Sequence, residues 1–307
     1  MRDKKLSIIT INYNNAEGLR KTMESVFAQT SKEFEYIVVD GASTDGSVDM
    51  IRASASQAEG LTYTWVSEKD NGIYNAMNKG IEIAEGRRVV NSFNRSELVE
   101  DKNKDFEDGY VLMLNSGDYL VDEHVIERIL PELHTEDMIQ GNVIKDYPGK
   151  SFRYRGYGRS DISLYDVMEA NFPHQAMFIK LSTMIQYGYY DESYKKGSDS
   201  YFFFTSLGFG NATYRYVDID VTNFDINGIS SMQDPKWRQI DQEEDARWYG
   251  EHISNRMKTY YQEAVEAIHL SHMLRKHKWI WSIVKLLVKI SNKLSAPQPN
   301  VKVEEIK

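Results

Sequence analysis

Apolar residues along this chain fall into short continuous runs, each cut off by small or acidic residues, with helical periodicity between them. Residues 6–11 form the first run, which turns polar from Asn12. Over 18–29, Leu19, Met23, Val26 and Phe27 recur at the spacing of one helix face. A second run, 34–39, ends at Asp40-Gly-Ala-Ser-Thr-Asp-Gly-Ser, whose final Ser47 suits a helix N-cap. A third, 61–66, ends at Ser67 and leads into a helix from Ile73 with Met77, Ile81 and Ala84 on one side. Strand, helix and strand at these lengths predict a parallel sheet with right-handed crossovers. The run 110–114 stops abruptly at Asn115-Ser-Gly-Asp. Strands apolar on both faces need helices on both sides, so the pattern predicts an α/β fold. Its polar strand ends at Asn12, Asp40, Ser67 and Asp118 would line one edge, where such sheets bind ligands.

Beyond Asp118 the pattern predicts a helix over 123–133 and strands over 138–144 and 217–227. His174 and Gln175 precede a further apolar strand, and Asp199 stands immediately before an aromatic helix. Residues 87–109 are too polar to add core and predict an exposed insertion, a lid or partner surface at most. Past residue 232 the character changes, which predicts one large α/β domain over 1–232 and a helical extension over 233–307 ending in a flexible tail from Ala296. Within it, 270–294 holds Arg275, Lys276, Lys278, Lys285, Lys289 and Lys293 and no acid. Trp279, Ile280, Ile283, Leu287 and Ile290 form the apolar side. A basic amphipathic helix with tryptophans suits an anionic membrane surface, so 272–294 is the expected membrane contact.

Composition narrows the classes. The 307 residues are 41% hydrophobic and carry a net charge of −9, which argues against a nucleic-acid binder and for a packed core. With no cysteine, thiolate metal sites, disulfides and a cysteine nucleophile are all excluded. No signal-peptide pattern opens the chain and no run is long enough to span a bilayer. The expected location is cytoplasmic, peripheral on the inner face of the plasma membrane. Neither a G-x-G-x-x-G fingerprint nor a G-x-x-x-x-G-K-[ST] loop follows the first strand, which weakens dehydrogenase and P-loop readings.

Four stretches in order carry a resemblance: Ser7-Ile-Ile-Thr-Ile-Asn-Tyr-Asn, Val39-Asp-Gly-Ala-Ser-Thr-Asp-Gly-Ser, Asp70-Asn-Gly-Ile-Tyr-Asn-Ala-Met-Asn-Lys-Gly and Leu114-Asn-Ser-Gly-Asp. Together they resemble the family 2 glycosyltransferases, inverting enzymes of GT-A fold, over roughly the first two hundred and thirty residues. The resemblance implies a Rossmann-like nucleotide-binding sheet flanked by helices, a nucleotide-sugar donor (most often a UDP-sugar), a divalent metal (Mn2+ or Mg2+) and a saccharide or lipid-linked saccharide acceptor. It assigns Asp40 to the uracil with Thr10 and Asn12 beside it, and Asp70 to the nucleoside. Asn78 and Lys79 fall where they could face the diphosphate, Lys79 being equally readable as a solvated helix lysine. Ser116-Gly-Asp118 takes the place of the metal-binding Asp-x-Asp, so Asp118 would carry the metal nearly alone. His174 and Gln175 fall on the acceptor side. Asp199 matches the segment that supplies the catalytic base, with Asp191 as its rival. Two other classes stay open: a nucleotidyltransferase, and a silent nucleotide-sugar-binding module, which Ser116 favours. Sugar, acceptor and oligomeric state are not legible.

Overall fold

The computed structural model describes residues 6–99, 108–147, 149–162, 166–167, 172–226 and 235–252, and within 266–294 residues 266, 270, 273–274 and 276–294. Two units divide the chain, Met1–Asp245 and Ala246–Lys307. In the first, β1 (Leu6–Asn12), β2 (Glu35–Asp40), β3 (Thr62–Ser67) and β6 (Tyr110–Met113) run parallel, ordered β3-β2-β1-β6. The sheet continues through β10 (Met177–Lys180), β8 (Met138–Tyr147), β11 (Tyr214–Phe224) and β7 (Tyr119–Leu120), with β9 (Lys150–Tyr154) paired to β8. β10 runs antiparallel to both its neighbours, while β11 is parallel to β8 and bulges between Tyr216 and Thr222.

The continuous apolar runs are explained by cover on both faces. Leu6, Ile8, Tyr36, Val38 and Leu112 share one core with Leu19, Met23 and Val26 of α1 (Ala16–Phe27), Ile51 of α2 (Ser47–Ala53) and Val125, Ile126 and Ile129 of α4 (Val125–Ile129). The alternate residues Ile9 and Val39 meet α3 (Ile73–Ala84) at Gly80, where a Cβ would lie 2.3 Å from the Ile9 Cγ2. A glycine there lets the helix sit directly on the sheet. The remaining helices of this unit are α5 (Leu181–Tyr187), α6 (Ser198–Phe203) and the start of α7 (Pro235–His252); α8 (Lys278–Leu294) lies in the second unit.

One expectation changes in detail. The polar insertion is not featureless: β4 (Arg88–Val90) and β5 (Ser96–Leu98) pair as a hairpin with Phe93 at its tip, 82% exposed. Its anchor is polar, not apolar, which is why hydrophobic patterning missed it. The Ser96 amide and hydroxyl donate to the two Glu68 carboxylate oxygens at 2.9 and 2.8 Å, and the Ser67 amide donates to the Asn94 carbonyl. Residues 100–107 and the tail from 295 lie outside the described residues.

Just past α3, Glu85 accepts from the Tyr189 hydroxyl at 2.7 Å and pairs with Arg87, yet its side chain is nearly buried. Burial pushes its carboxyl up to about 7, partly offset by Tyr189 and Arg87. The folded chain therefore keeps a proton that the unfolded chain releases, so stability falls as pH rises from about 4.5 through 7. Urea unfolding at pH 5 and pH 8 should show Glu85→Gln losing part of the wild-type slope. An unchanged slope would mean that the carboxyl is already ionised at low pH.

Candidate functional site

The four parallel strands deliver their polar ends to one edge. Asn12 and Asp40 are directly paired in register there, and Asn12 Nδ2 donates to Asp40 at 2.9 Å. Asp40, wholly buried, also accepts from the Ser43 amide and hydroxyl and from the Ser67 hydroxyl at 2.8 Å. Beside it lies Asp70, half-buried, whose other oxygen accepts the Gly72 amide; a Cβ on Gly41 would sit 2.5 Å from its Oδ2. Tyr13, 68% exposed, comes within 3.1 Å of that same Cβ position, so its ring lies next to Gly41 and Asp70. Nothing in the hydrophobic pattern marked Tyr13; its signal was an aromatic side chain immediately past a buried strand.

Thr10 lies elsewhere. It is fully buried, donates to the Leu114 carbonyl at 2.7 Å and receives the Tyr36 hydroxyl at 3.1 Å, so it ties β1 to the exit of β6 and turns away from the edge. Asn78 is likewise engaged, clamping the Tyr190 backbone at both its carbonyl and amide. Lys79 is not solvated: its ammonium reaches Glu68 at 2.9 Å and the Lys69 carbonyl at 2.9 Å.

The segment Asn115 to Asp118 is held from below by α1. The Asn15 side chain caps that helix and donates to the Ser116 carbonyl, while the Thr22 hydroxyl donates to the Asp118 carbonyl and receives the Gly117 amide. Gly117 has φ +110, a conformation open to glycine, and a Cβ there would strike the Asp225 carboxylate. Asp118 is 4% exposed and accepts the Asp225 amide at 2.8 Å. Burial, with the Asp225 charge adding, pushes the Asp118 carboxyl up to about 7; the Asp225 amide, the His174 charge and the Gln175 side chain pull the other way. Among the described residues, no three His, Cys, Asp or Glu side chains converge as a cation cage. The pair Asp118 and Asp225 nonetheless matches the one or two hard carboxylates that Mg2+ usually takes from protein, the rest coming from phosphate and water. Asp225 escaped sequence analysis because it lies 107 residues from its partner. An open cleft of about 380 Å3 lies beside this segment, lined by Gly117, Tyr119, Asp225 and Lys21 among others.

A partly buried polar chain joins Tyr74, Asp199, His174 and Asn115. His174 Nδ1 stands 2.8 Å from Asp199, and the Tyr74 hydroxyl donates to the other Asp199 oxygen at 2.9 Å. The His174 Nε2 meets the Asn115 amide at 3.2 Å, so one imidazole spans from Asp199 to the residue that opens the Asp118 segment. Burial alone would raise Asp199, but His174 and Tyr74 hold it below the usual carboxylate range. Burial would lower His174, and Asp199 with Asp118 outweighs it upward. Asp191, by contrast, is exposed and accepts the Ser193 and Tyr194 amides of its own turn. Tyr74 and Asn115 lie inside the sequence motifs, and nothing local distinguishes them there. Aromatic and amide residues are ordinary in such turns, and only the fold brings them to Asp199 and His174.

Known proteins resemble this chain in sequence and in fold. Residues 7–192 match the family described as "Glycosyl transferase family 2". A Mycobacterium bovis protein named "PGL/p-HBAD biosynthesis glycosyltransferase" is 25% identical over 229 residues, covering 73% of this chain and 78% of that one. Among solved structures, a Pyrobaculum calidifontis mannosyltransferase in complex with GDP-Man and Mn2+ superposes with TM-score 0.58 at 15% identity, covering 95% of this chain and 76% of the other. S. aureus TarS in complex with UDP-GlcNAc gives TM-score 0.56 at 16% identity over 77% of this chain, which spans 64% of the TarS chain, less than two thirds. The fold is that of these GT-A proteins, a mixed α/β sheet flanked by helices.

Proposed function

The chain belongs to glycosyl transferase family 2 and is a glycosyltransferase, and we propose that it moves a sugar, with inversion, from a UDP-sugar to a hydroxyl of a saccharide or lipid-linked saccharide. The observation that carries this reading is one sheet edge that bears buried Asp40 and the segment of Asp118 with its partner Asp225, that segment joined through Asn115 to the Tyr74–Asp199–His174 chain. A relative named for PGL/p-HBAD biosynthesis supports a role in building a polysaccharide or other glycoconjugate. Donors bound by structural neighbours, UDP-GlcNAc and GDP-Man, support the nucleotide-sugar class and leave the sugar open.

In this reading Tyr13 stacks on the base, Asp40 and Asp70 with Asn12 hold the nucleoside, and the β4–β5 hairpin walls that end through Ser67 and Glu68. Thr10, Asn78 and Lys79 brace the strands and loops around the donor. Asp118 and Asp225 would hold a divalent cation, Ser116 leaving no carboxylate at the first motif position. When bound, such a cation supplies Lewis-acid stabilisation of the departing diphosphate. Asp199 takes the proton of the acceptor hydroxyl as that oxygen bonds to the anomeric carbon. The bond from that carbon to the diphosphate breaks on the opposite face, and the nucleoside diphosphate leaves with the electron pair. His174 and Tyr74 keep the Asp199 oxygens aimed, while Gln175 steadies Asp118.

Thermal unfolding against UDP, GDP, ADP, CDP and their sugars, with and without Mn2+, tests the donor reading. A ligand at a hundred times its dissociation constant adds about 2.7 kcal/mol. UDP compounds should raise the midpoint, and only with metal. Tyr13→Ala, whose exposed ring costs the fold nothing to lose, should weaken that binding about tenfold, within the span of one aromatic–base stack. Equal response to every nucleotide would sink the uridine assignment. Metal-dependent binding with no turnover on any acceptor would instead identify a silent binding module, the reading that Ser116 favours.

A further inference from the structure

α8 carries a cluster of exposed apolar side chains. Trp279 is 68% exposed, Ile283 49%, Leu286 57% and Leu287 58%. At about 100° of turn per residue, Trp279, Ile283 and Leu286 lie on one stripe with Leu287 at its side. Ile280, Trp281 and Val284, on the neighbouring sector, are only half-exposed. Lys285 is exposed on the other flank of the stripe. The lysines of the helix recur at spacings of seven, four and four from Lys278, and the whole segment 270–294 has no acid in a chain of net charge −9. A contiguous apolar stripe of this size on a folded surface marks an interaction face.

We propose that this face docks on an anionic lipid bilayer, with the helix lying in the plane of the headgroups. Three observations select that occupant. A second copy of the same helix would bring lysine row against lysine row, whereas an acidic headgroup layer neutralises them. Exposed Trp279, with an apolar ring body and a polar N–H, is of the type that settles at a membrane boundary, and lysine is a residue type that can bury its stem there while keeping its ammonium in water. Finally, no helix among the described residues is long and apolar enough to cross a membrane, and the proposed contact needs only the bilayer surface. The proposal stands on α8 alone and does not depend on the transfer chemistry, though a lipid-linked acceptor would be presented on that same surface.

Co-flotation of the full chain with vesicles tests it. Phosphatidylcholine vesicles containing phosphatidylglycerol should carry the protein to the top of the gradient, and pure phosphatidylcholine vesicles should not. Raising salt to about 0.5 M should release it as the charges are screened. Leu286→Asp should abolish flotation. Lys285→Glu should weaken it by at least fivefold, from about 1 kcal/mol for each basic charge near the surface. Both variants should unfold at the wild-type temperature, since the altered side chains are exposed. Binding that ignores lipid charge overturns the proposal, as does no flotation at all. A dimer in solution that Leu286→Asp breaks would name a second copy as the occupant and overturn it equally.

Discussion

Asp118→Asn should reduce sugar transfer by at least about a thousandfold while leaving the protein folded, and more stable above neutral pH than the wild type. The two effects have one cause. In the wild-type chain a 4% exposed carboxyl sits beside a second acid, Asp225, and burial pushes it up to about 7. Without a cation, the folded chain holds the Asp118 proton until pH 7, whereas the unfolded chain releases it near 4. Its stabilising contribution is complete below about pH 4 and is lost as pH rises through 7. Asparagine still accepts the Asp225 amide but has no charge to bury, so the pH-dependent loss disappears, on the order of a few kcal/mol. The same change removes a carboxylate from the proposed cation pair, and the departing diphosphate loses its Lewis acid. Chemical unfolding between pH 5 and 8, with and without Mn2+, separates the effects. Wild type should gain stability from Mn2+ above pH 7, and the variant should gain little. Equal gain in both would remove Asp118 from the metal, and full transfer by the variant would remove it from the chemistry.

The second large effect falls on Asp199. Asp199→Asn should lower kcat by about a hundred- to ten-thousandfold, the usual worth of a positioned general base, with nucleotide binding unchanged. The split between kcat and binding is diagnostic, because Asp199 lies on the Tyr74–His174 chain and not among the residues assigned to the nucleoside. Tyr74→Phe removes one donor to the carboxylate and His174→Ala removes another together with a charge. Both should move the acidic limb of the kcat profile upward in pH, since the donors that hold the Asp199 carboxyl down are gone. Weakened nucleotide binding in Asp199→Asn, with kcat intact, would reassign the carboxylate to structure. An unmoved acidic limb in Tyr74→Phe would place the titration on another group.

Much of the scaffold is written locally. Leu6 to Ile9, Tyr36 to Val39 and Val111 to Leu114 are buried runs that end in Asn12, Asp40 and Asn115, and a residue's own neighbours suffice to show a strand covered on both faces. The β4–β5 hairpin was hidden because its bonds are polar: serine, asparagine and glutamate look like any loop until Glu68 is seen holding Ser96. At the strand edge, residue type was informative and direction was not. Thr10 and Asn12 are two apart on one strand, yet the first donates into the core at Leu114 and the second to Asp40.

By itself, then, the order of residues determined the four parallel strands β1, β2, β3 and β6, the edge that bears their polar ends, the absence of cysteine chemistry and the basic amphipathic character of α8, whereas the antiparallel placement of β10 came only with the fold. Those properties depend on periodicity and composition, which short-range geometry imposes. Only the tertiary structure decided the partners: Asp118 with Asp225 across 107 positions, Tyr74 with Asp199 across 125, and one imidazole joining Asp199 to Asn115. Hydrogen bonds and charge pairing act over a few ångströms, so distances along the chain carry no record of them until strands and helices bring the side chains together.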